Sequence, residues 1–195
     1  MDLPAIAAVV AGYLIGSLDF GVLLARREGV DIYASGSGNP GATNVLRTMG
    51  RKTAGLVMLG DLAKGALAAL IGDLVGGEAL GFAAGFAAVI GHCFPLWHRF
   101  RGGKGVATSG GLAVWLEPIV GLGLLAGWGL VVAGTRRASI ASLAVAVAFT
   151  PALALAGHRG WSLVWAGATA VLIVVRHHEN IRRLFGGTEH EIEPL

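Results

Sequence analysis

Residues 138–157 read ASIASLAVAVAFTPALALAG, a run without one charged side chain. A helix needs about 20 apolar residues to cross the hydrocarbon core of a bilayer, and this run supplies them. The composition of the whole chain agrees, since 54% of its 195 residues are hydrophobic, 14% are charged and the mean hydropathy is +0.69. A soluble domain of this length builds its core with fewer apolar residues, so the sequence indicates an integral membrane protein.

Similar apolar segments recur along the chain, at about residues 3–25, 53–73, 79–97, 105–116, 118–134, 138–157 and 160–176. They predict an all-α integral membrane protein, a compact bundle of seven transmembrane helices forming one domain over residues 1–195. The fourth and fifth segments are short and meet at Pro118, which breaks a helix, so two short spans and one re-entrant hairpin both stay open. Gly-x-x-x-Gly pairs at 12/16, 81/85 and 123/127 predict close helix packing.

The basic residues of the predicted loops fall on one side of the membrane. With the N-terminus outside and seven crossings, thirteen of the 15 Lys and Arg residues lie in inner loops or the C-terminal tail; Arg159 is the exception, and Lys64 lies inside a segment. Since cytoplasmic loops carry an excess of Lys and Arg, we predict a cytoplasmic C-terminus. The pI near 9.5 would also suit nucleic acid, but the basic residues gather on no single helix or patch, so we expect no nucleic-acid partner.

The first inner loop is rich in glycine and in polar side chains. Residues 35–44 read SGSGNPGATN, and Arg47 follows. Glycines allow positive φ and let successive backbone N–H groups converge on an anion, while Arg47 adds a charge that suits phosphate. No Gly-Lys-Ser/Thr follows, so this is not a Walker loop. Taken alone, the segment also fits a flexible turn.

The second inner loop combines glycine with basic residues. Residues 99–108 read RFRGGKGVAT and lead into an apolar segment, whose N-terminal amides would favour a phosphate beside Lys104. Contact with lipid headgroups is the alternative, although it needs charge and no glycine cluster.

Two weaker patterns lie on the same side, and one lies inside a span. Ser139 and Ser142 share a helical face, as do His177 and Asn180 in the tail. Asp61 and Lys64, spaced i, i+3 in the second segment, either pair with each other or serve the function directly.

Several kinds of catalytic chemistry lack their residues. Cys93 is the one cysteine, so the chain has no internal disulfide and no cysteine metal cluster. Gly-x-Ser-x-Gly, His-Glu-x-x-His and His-x-x-x-x-Asp motifs are missing, and carboxylates do not pair on the inner side. The inventory suits the electrostatic stabilisation of phosphates better than covalent catalysis.

Taken together, the loops resemble a bacterial enzyme family, the acyl-phosphate:glycerol-3-phosphate acyltransferases (the PlsY family). The matching motifs are residues 35–44, Gly91-His92-x-Phe94-Pro95, residues 102–108, Arg137-x-Ser139-x-x-Ser142 and His177-x-x-Asn180-Ile181-x-Arg183-Leu184, with further matches at 16–21, 61–65 and 187–189. They occur in order from about residue 12 to 189, so the resemblance is specific and covers nearly the whole chain. Asp19, where the family commonly has proline or a small residue, and His178, where a basic residue is common, depart from the pattern.

The resemblance implies a multi-pass enzyme of the bacterial inner membrane with its active site on the cytoplasmic face. It would move an acyl chain from acyl phosphate to the 1-hydroxyl of glycerol 3-phosphate, giving lysophosphatidic acid and phosphate, without metal or cofactor. We expect a monomer that contacts membrane lipid and needs no protein partner.

The resemblance also assigns site residues. Those matching family positions for glycerol 3-phosphate are Ser35, Arg47, Lys104, Ser142, His177 and Asn180, of which Lys104, His177 and Asn180 are expected to be catalytic. The acyl-phosphate head is expected at Gly36, Ser37, Gly38, Asn39, Gly41, Thr43, Asn44, Gly102 and Gly103.

The chemistry of the substrates explains the missing nucleophile. Acyl phosphate is an activated mixed anhydride, so holding two anions side by side brings hydroxyl and carbonyl into attack geometry. The substrate phosphate itself would accept the hydroxyl proton. His177 as general base is one interpretation, and His177 as donor to a glycerol phosphate oxygen is the one that we prefer.

Two other classes fit part of the pattern. A transporter for phosphorylated solutes would show repeated halves with broken helices meeting at the membrane midplane, and the sequence has no such repeat. A structural lipid-binding protein would need the basic residues but neither Ser142 nor Asn180 in place.

Overall fold

The computed structural model of the protein describes residues 2–192, and the regular secondary structure in that range is all helical. Its elements are α1 (Leu3–Gly16), α2 (Phe20–Arg27), α3 (Ala42–Met49), α4 (Arg51–Gly76), α5 (Glu78–Cys93), a 3-10 turn (Leu96–His98), α6 (Val106–Leu116), α7 (Pro118–Thr135), α8 (Ala138–Leu155), α9 (Trp161–Arg176) and α10 (His178–Phe185). The all-α prediction is therefore confirmed for the described residues.

Every predicted apolar segment contains a helix, but the helices differ in length. Five stretches are long and apolar enough to cross a membrane: Leu3–Arg27, Arg51–Gly76, Glu78–His98, Pro118–Thr135 and Ala138–Leu155. Val106–Leu116 and Trp161–Arg176 are apolar but shorter. Seven crossings therefore stay a prediction.

The first predicted segment, written as one helix over 3–25, is broken in two. Asp19 ends the break by accepting the Val22 N–H at 3.1 Å, which caps α2 in the way that short acidic side chains cap helices. The carbonyl of Leu18, released by the break, accepts a hydrogen bond from Lys64 Nζ of α4 at 2.9 Å. A side chain from another helix thus supplies the hydrogen bond that this carbonyl lacks within its own helix.

Small residues let the central helices approach each other closely. A Cβ at Gly16 of α1 would lie 2.1 Å from the Ala88 carbonyl oxygen of α5, and a Cβ at Gly65 of α4 would lie 1.9 Å from the Thr108 carbonyl oxygen of α6. These backbone contacts have no room for a side chain. In α7, by contrast, a Cβ at Gly127 would meet nothing within 4 Å. Helices α1, α4, α5 and α6 therefore form the tight centre of the bundle, and α7 lies at its edge against α6 and α8.

The two ends of the bundle carry different polar groups. At one end, the buried His158 contacts two carboxylates, Glu78 at 3.0 Å and Glu117 at 3.3 Å, and so joins the connections α4–α5, α6–α7 and α8–α9. At the other end, the α2–α3 and α5–α6 loops, the start of α8 and the tail after α9 surround a cavity.

Candidate active site

The cavity collects most of the predicted site residues from four separate parts of the chain. These parts are the α2–α3 loop with α3, the end of the α5–α6 loop, α8 and the tail. The predicted residues among its lining are Ser37, Asn39, Gly41, Thr43, Asn44, Arg47, Lys104, Ser142, His177 and Asn180.

The α2–α3 loop is held from within by Asn44, which is buried. Its side-chain amide donates to the Ser35 carbonyl at 3.0 Å, and its Oδ1 accepts the Ser37 N–H at 2.8 Å. Gly36 and Gly38 have φ values of 57° and 68°, the left-handed region that favours glycine. A Cβ at Gly36 would lie 2.3 Å from Asn44 Oδ1. The loop is therefore a fixed turn, as an anion nest requires, and not a flexible connector.

The same loop feeds the start of α3. Gly41 precedes the helix as its N-cap, with no side chain capping the first turn among the described residues, and its own N–H donates to Asn39 Oδ1 at 2.8 Å. An uncapped first turn leaves backbone N–H groups for an anion.

A chain of hydrogen bonds joins the second loop to the tail. Lys104 Nζ donates to Asn180 Oδ1, Asn180 Nδ2 donates to Glu189 Oε1 at 2.6 Å, and Arg183 Nε donates to Glu189 Oε2 at 2.8 Å. The Lys104 partner fixes the orientation of the Asn180 amide, since an ammonium can only donate. Lysine, arginine and amide therefore converge around one carboxylate at the edge of the cavity.

Burial and these contacts set the charges of the network. Burial lowers the pKa of Lys104 to about 8, helped by the charge of Arg183. Burial alone would raise the pKa of Glu189, but the hydrogen bonds from Asn180 and Arg183 outweigh it and leave the pKa below its ordinary value. Near neutral pH Lys104 is therefore mostly a cation and Glu189 an anion.

His177 presents one ring nitrogen as an acceptor. Its Nδ1 lies 2.7 Å from the Ile173 carbonyl oxygen, which can only accept, so Nδ1 carries the proton. Burial lowers the pKa of His177 to about 4, although the hydrogen bond to Ile173 acts in the opposite direction. A neutral ring with a protonated Nδ1 offers a lone pair at Nε2. The role preferred from the sequence was donation to a phosphate oxygen. That role needs a second proton, on Nε2, which the neutral ring does not carry.

The cavity lining has a polar part and an apolar part. Trp128 Nε1 of α7 donates to Ser142 Oγ of α8 at 3.1 Å, and both residues line the cavity. The apolar part comes from α4, α7 and α8: Met58, Leu62, Leu124, Leu125, Val145 and Phe149. The lining thus combines polar groups that suit phosphate with an apolar surface that suits a hydrocarbon chain.

Comparison with known proteins shows the family of the chain. The family model for glycerol-3-phosphate acyltransferase matches residues 6–187. The chain belongs to the glycerol-3-phosphate acyltransferase family. A glycerol-3-phosphate acyltransferase of Rhizobium meliloti (strain 1021) is 45% identical over 194 residues, 98% of this chain and 95% of that protein. One of Rubrobacter xylanophilus is 41% identical over 184 residues, 94% and 92% of the two chains.

Solved structures extend the likeness to three dimensions. The crystal structure of PlsY (YgiH), an integral membrane glycerol 3-phosphate acyltransferase, in its glycerol 3-phosphate form has a TM-score of 0.93 and 38% identity, and the match covers 96% of this chain and 95% of that one. Its lysophosphatidic acid form gives a TM-score of 0.91. The predicted family, an acyltransferase embedded in the membrane, is confirmed.

Not every residue predicted for this glycerol-3-phosphate acyltransferase lines the cavity. Ser35 donates its hydroxyl to the Asp31 carbonyl at 2.8 Å, which stabilises the turn. Gly102 and Gly103 are buried, and their carbonyls accept hydrogen bonds from Arg176. The predicted residues outside the lining are Ser35, Gly36, Gly38, Gly102 and Gly103.

The cavity lining also includes groups that the sequence did not assign to the site. Asp61 and Lys64, for which the sequence left pairing and a direct functional role open, pair at 2.7 Å, and His92 of α5 joins them, since Lys64 Nζ lies 2.8 Å from His92 Nδ1. All three are buried, and Asp61 and His92 line the cavity. Glu189 also lines it. The matching motifs at 61–65, 91–95 and 187–189 contained these residues, but nothing in the sequence brought His92 to the pair or Glu189 to Asn180.

Proposed function

We propose that this acyltransferase moves an acyl chain from acyl phosphate to the 1-hydroxyl of glycerol 3-phosphate, giving lysophosphatidic acid and inorganic phosphate. The observation that carries the proposal is the two-part cavity, whose lining joins residues of the α2–α3 loop, Lys104 and the tail to apolar side chains of α4, α7 and α8. This arrangement suits two phosphate-bearing substrates of which one carries a hydrocarbon chain.

Each substrate has its own set of partners in this proposal. Lys104, Asn180 and Arg47 bind the phosphate of glycerol 3-phosphate, with Ser142 and His177 near the glycerol. The α2–α3 loop, held in place by Asn44, and the uncapped first turn of α3 bind the phosphate of the donor.

The reaction needs no acyl-enzyme intermediate. The 1-hydroxyl oxygen attacks the carbonyl carbon, the bond from that carbon to the phosphate oxygen breaks, and phosphate leaves with the electron pair. The leaving phosphate takes the proton of the 1-hydroxyl, while the neutral His177 accepts a hydrogen bond at Nε2 from the neighbouring 2-hydroxyl and so orients the glycerol. Positioning of the two substrates lowers the barrier, and Lys104 with the loop amides offsets negative charge growing on the carbonyl oxygen.

We further propose one domain over residues 1–195 that acts as a monomer in the bacterial inner membrane, with seven crossings, the N-terminus outside and the site on the cytoplasmic face. The sorting of basic residues supports this topology. Cys93 is buried, so single cysteines placed at Arg159 and Arg182 can report it. We expect an impermeant maleimide to label position 159 from outside the cell and position 182 only after permeabilisation; the reverse pattern contradicts the orientation.

The donor is tested with purified protein in lipid vesicles. Palmitoyl phosphate with glycerol 3-phosphate is expected to give lysophosphatidic acid and phosphate in equal amounts, whereas palmitoyl-CoA and palmitoyl acyl carrier protein give none. Phosphate release that does not depend on glycerol 3-phosphate, or product formed from palmitoyl-CoA, would contradict the proposal.

A further inference from the structure

Arg176, the last residue of α9, turns its guanidinium toward the α5–α6 loop. Its Nε donates to the Gly103 carbonyl at 3.2 Å, and its Nη2 donates to the carbonyls of Gly102 and Gly103, both at 3.1 Å. The guanidinium carbon lies 5.0 Å from the centre of the Phe94 ring, at the start of the same loop. The side chain therefore spans the loop from its beginning to the residue before Lys104.

We propose that Arg176 is a positioning residue for acyl transfer, which fixes the Gly102–Gly103 backbone so that Lys104 meets Asn180 in the geometry that binds glycerol phosphate. The inference rests on the proposed role of Lys104, though not on the identity of the acyl donor. Arg176 does not line the cavity and acts through the loop alone.

The loop needs an external partner because its own residues cannot hold it. Gly102 and Gly103 have no side chains, yet both are buried, and buried carbonyls require hydrogen-bond donors. One edge of the segment is held by the Gly103 N–H, which donates to the His92 carbonyl at 3.0 Å. Arg176 supplies the donors on the carbonyl side. Together, Arg176 and the His92 carbonyl fix the two peptide groups on either side of Gly103, directly before Lys104.

The chemistry of the side chain explains why an arginine stands there. A guanidinium carries five N–H donors in one rigid plane, so it reaches two successive carbonyls and still stacks on an aromatic ring. An ammonium at the same place is a compact charge that cannot reproduce this planar fork.

Arg176 lies close in the sequence to two residues of the proposed site. The next residue is His177, and Asn180 follows four positions after the arginine. The segment that carries two of the site residues is therefore tied directly to the loop that carries the third. A misplacement of about 1 Å in such a constellation costs about 100-fold in rate.

The α5–α6 loop is also held at Arg101, by a residue of the α2–α3 loop. Tyr33 donates its hydroxyl to the Arg101 carbonyl at 2.6 Å, and the Arg101 guanidinium lies 4.7 Å from the centre of the Tyr33 ring. Loss of Arg176 therefore leaves the loop attached at residue 101 and at the Gly103 N–H, and removes the donors of the two carbonyls that precede Lys104.

The test compares Arg176→Gln with Arg182→Gln, which removes an equal charge from an exposed position of α10. We expect Arg176→Gln to lower kcat/KM for glycerol 3-phosphate by about 10- to 100-fold and Arg182→Gln to change it by less than about twofold. Arg176→Lys keeps the charge but lacks the planar fork. We expect its kcat/KM to stay close to that of Arg176→Gln and to recover less than a tenth of the lost activity. Thermal unfolding in detergent shows that each variant is folded.

A second readout does not depend on the acyl donor. Competitive labelling of Lys104 with an amine reagent as a function of pH, read by mass spectrometry, measures the pKa of this residue directly. The charged groups that act on Lys104 are Arg183, Glu189, Glu179 and Arg176. Arg176→Gln removes one cation and loosens the burial, so we expect the pKa of Lys104 to rise from about 8 toward 10.5. If Arg176→Gln leaves both the pKa of Lys104 and kcat/KM for glycerol 3-phosphate at their wild-type values, the inference is wrong. This result would count against it whichever acyl compound is the donor.

Discussion

Lys104 and His177 lie in the same cavity, and burial lowers the pKa of both. Near neutral pH, however, Lys104 is a cation and His177 is neutral. The pKa of Lys104 falls to about 8, so the amine keeps its proton near neutral pH. The pKa of His177 falls to about 4, so the ring loses its charge. The cation that meets a phosphate is therefore the lysine, and the histidine contributes a lone pair.

The alkaline limb of the pH profile follows from Lys104. The amine loses its proton as the pH rises through about 8, and a neutral amine attracts phosphate less, so kcat/KM for glycerol 3-phosphate is expected to fall above that pH. Lys104→Arg keeps its charge to a higher pH and is expected to lose this limb. A wild-type profile that stays flat to about pH 10 contradicts the lowered pKa.

The acid limb tests His177 in the same way. A ring with a pKa of about 4 does not titrate near the ordinary value of 6.5. Any limb near pH 6.5 is expected to come from the substrate phosphates, whose second pKa is about 6, and hence to persist in His177→Gln. A limb that disappears in this variant would favour His177 as general base.

Lys104 and Asn180 are expected to act as one unit because their side chains are hydrogen-bonded. Lys104→Ala and Asn180→Ala should each lower kcat/KM by about 100-fold or more, and the double variant should lose little beyond the worse single one. Steady-state kinetics of the three variants measure this coupling. Fully additive losses would mean that the two residues act separately.

Among the elements, apolar runs bounded by proline or charge were predictable. The segments 118–134 and 138–157 correspond to α7 and α8 within a few residues. The break at Ser17–Asp19 was not, since hydropathy runs through it and its carbonyl is satisfied by Lys64 from a helix far along the chain. Contacts between distant segments leave no local pattern.

The site loops show the same division. Glycine at 36 and 38 predicted positive φ, and the structure has it. The composition of Gly102–Gly103 predicted backbone donors for an anion, but composition does not say which way a peptide faces, and here the carbonyls face Arg176. Glu189 lay in a matching motif, but only the fold brings it to Asn180.

Close helix packing gives a prediction with an internal control. Gly65→Ala places a Cβ 1.9 Å from the Thr108 carbonyl oxygen, so α4 and α6 must separate, whereas Gly127→Ala in α7 meets nothing within 4 Å. Overpacking of this kind costs about 1–3 kcal/mol. Thermal unfolding in detergent is expected to show a lower Tm for Gly65→Ala and an unchanged or higher Tm for Gly127→Ala. Equal shifts in both would contradict the packing.

Across the whole molecule, three clusters of buried polar side chains are distinct from one another. The phosphate-suited groups lie at one end, His158 with its two carboxylates joins the connections at the other, and the network of Asp61, Lys64 and His92 lies between them. The end without the cavity is thus joined across three connections by one imidazole.

The pair of Asp61 and Lys64 has a consequence for how the protein is made. A charged side chain at the centre of a membrane helix costs about 2.5–3.5 kcal/mol on insertion. Because both partners belong to α4, their contact can form as soon as this helix is synthesised, before α5 and His92 leave the ribosome. The helix enters the bilayer without net charge at its middle.

Insertion of the isolated α4 segment between reporter glycosylation sites measures this effect. We expect Lys64→Ala to reduce insertion, since Asp61 then crosses without its partner, and the double variant Asp61→Ala/Lys64→Ala to restore it. Equal insertion of all three segments would contradict the idea. If it holds, a charge pair beside the cavity is neutralised during translation, one helix before the histidine that joins it.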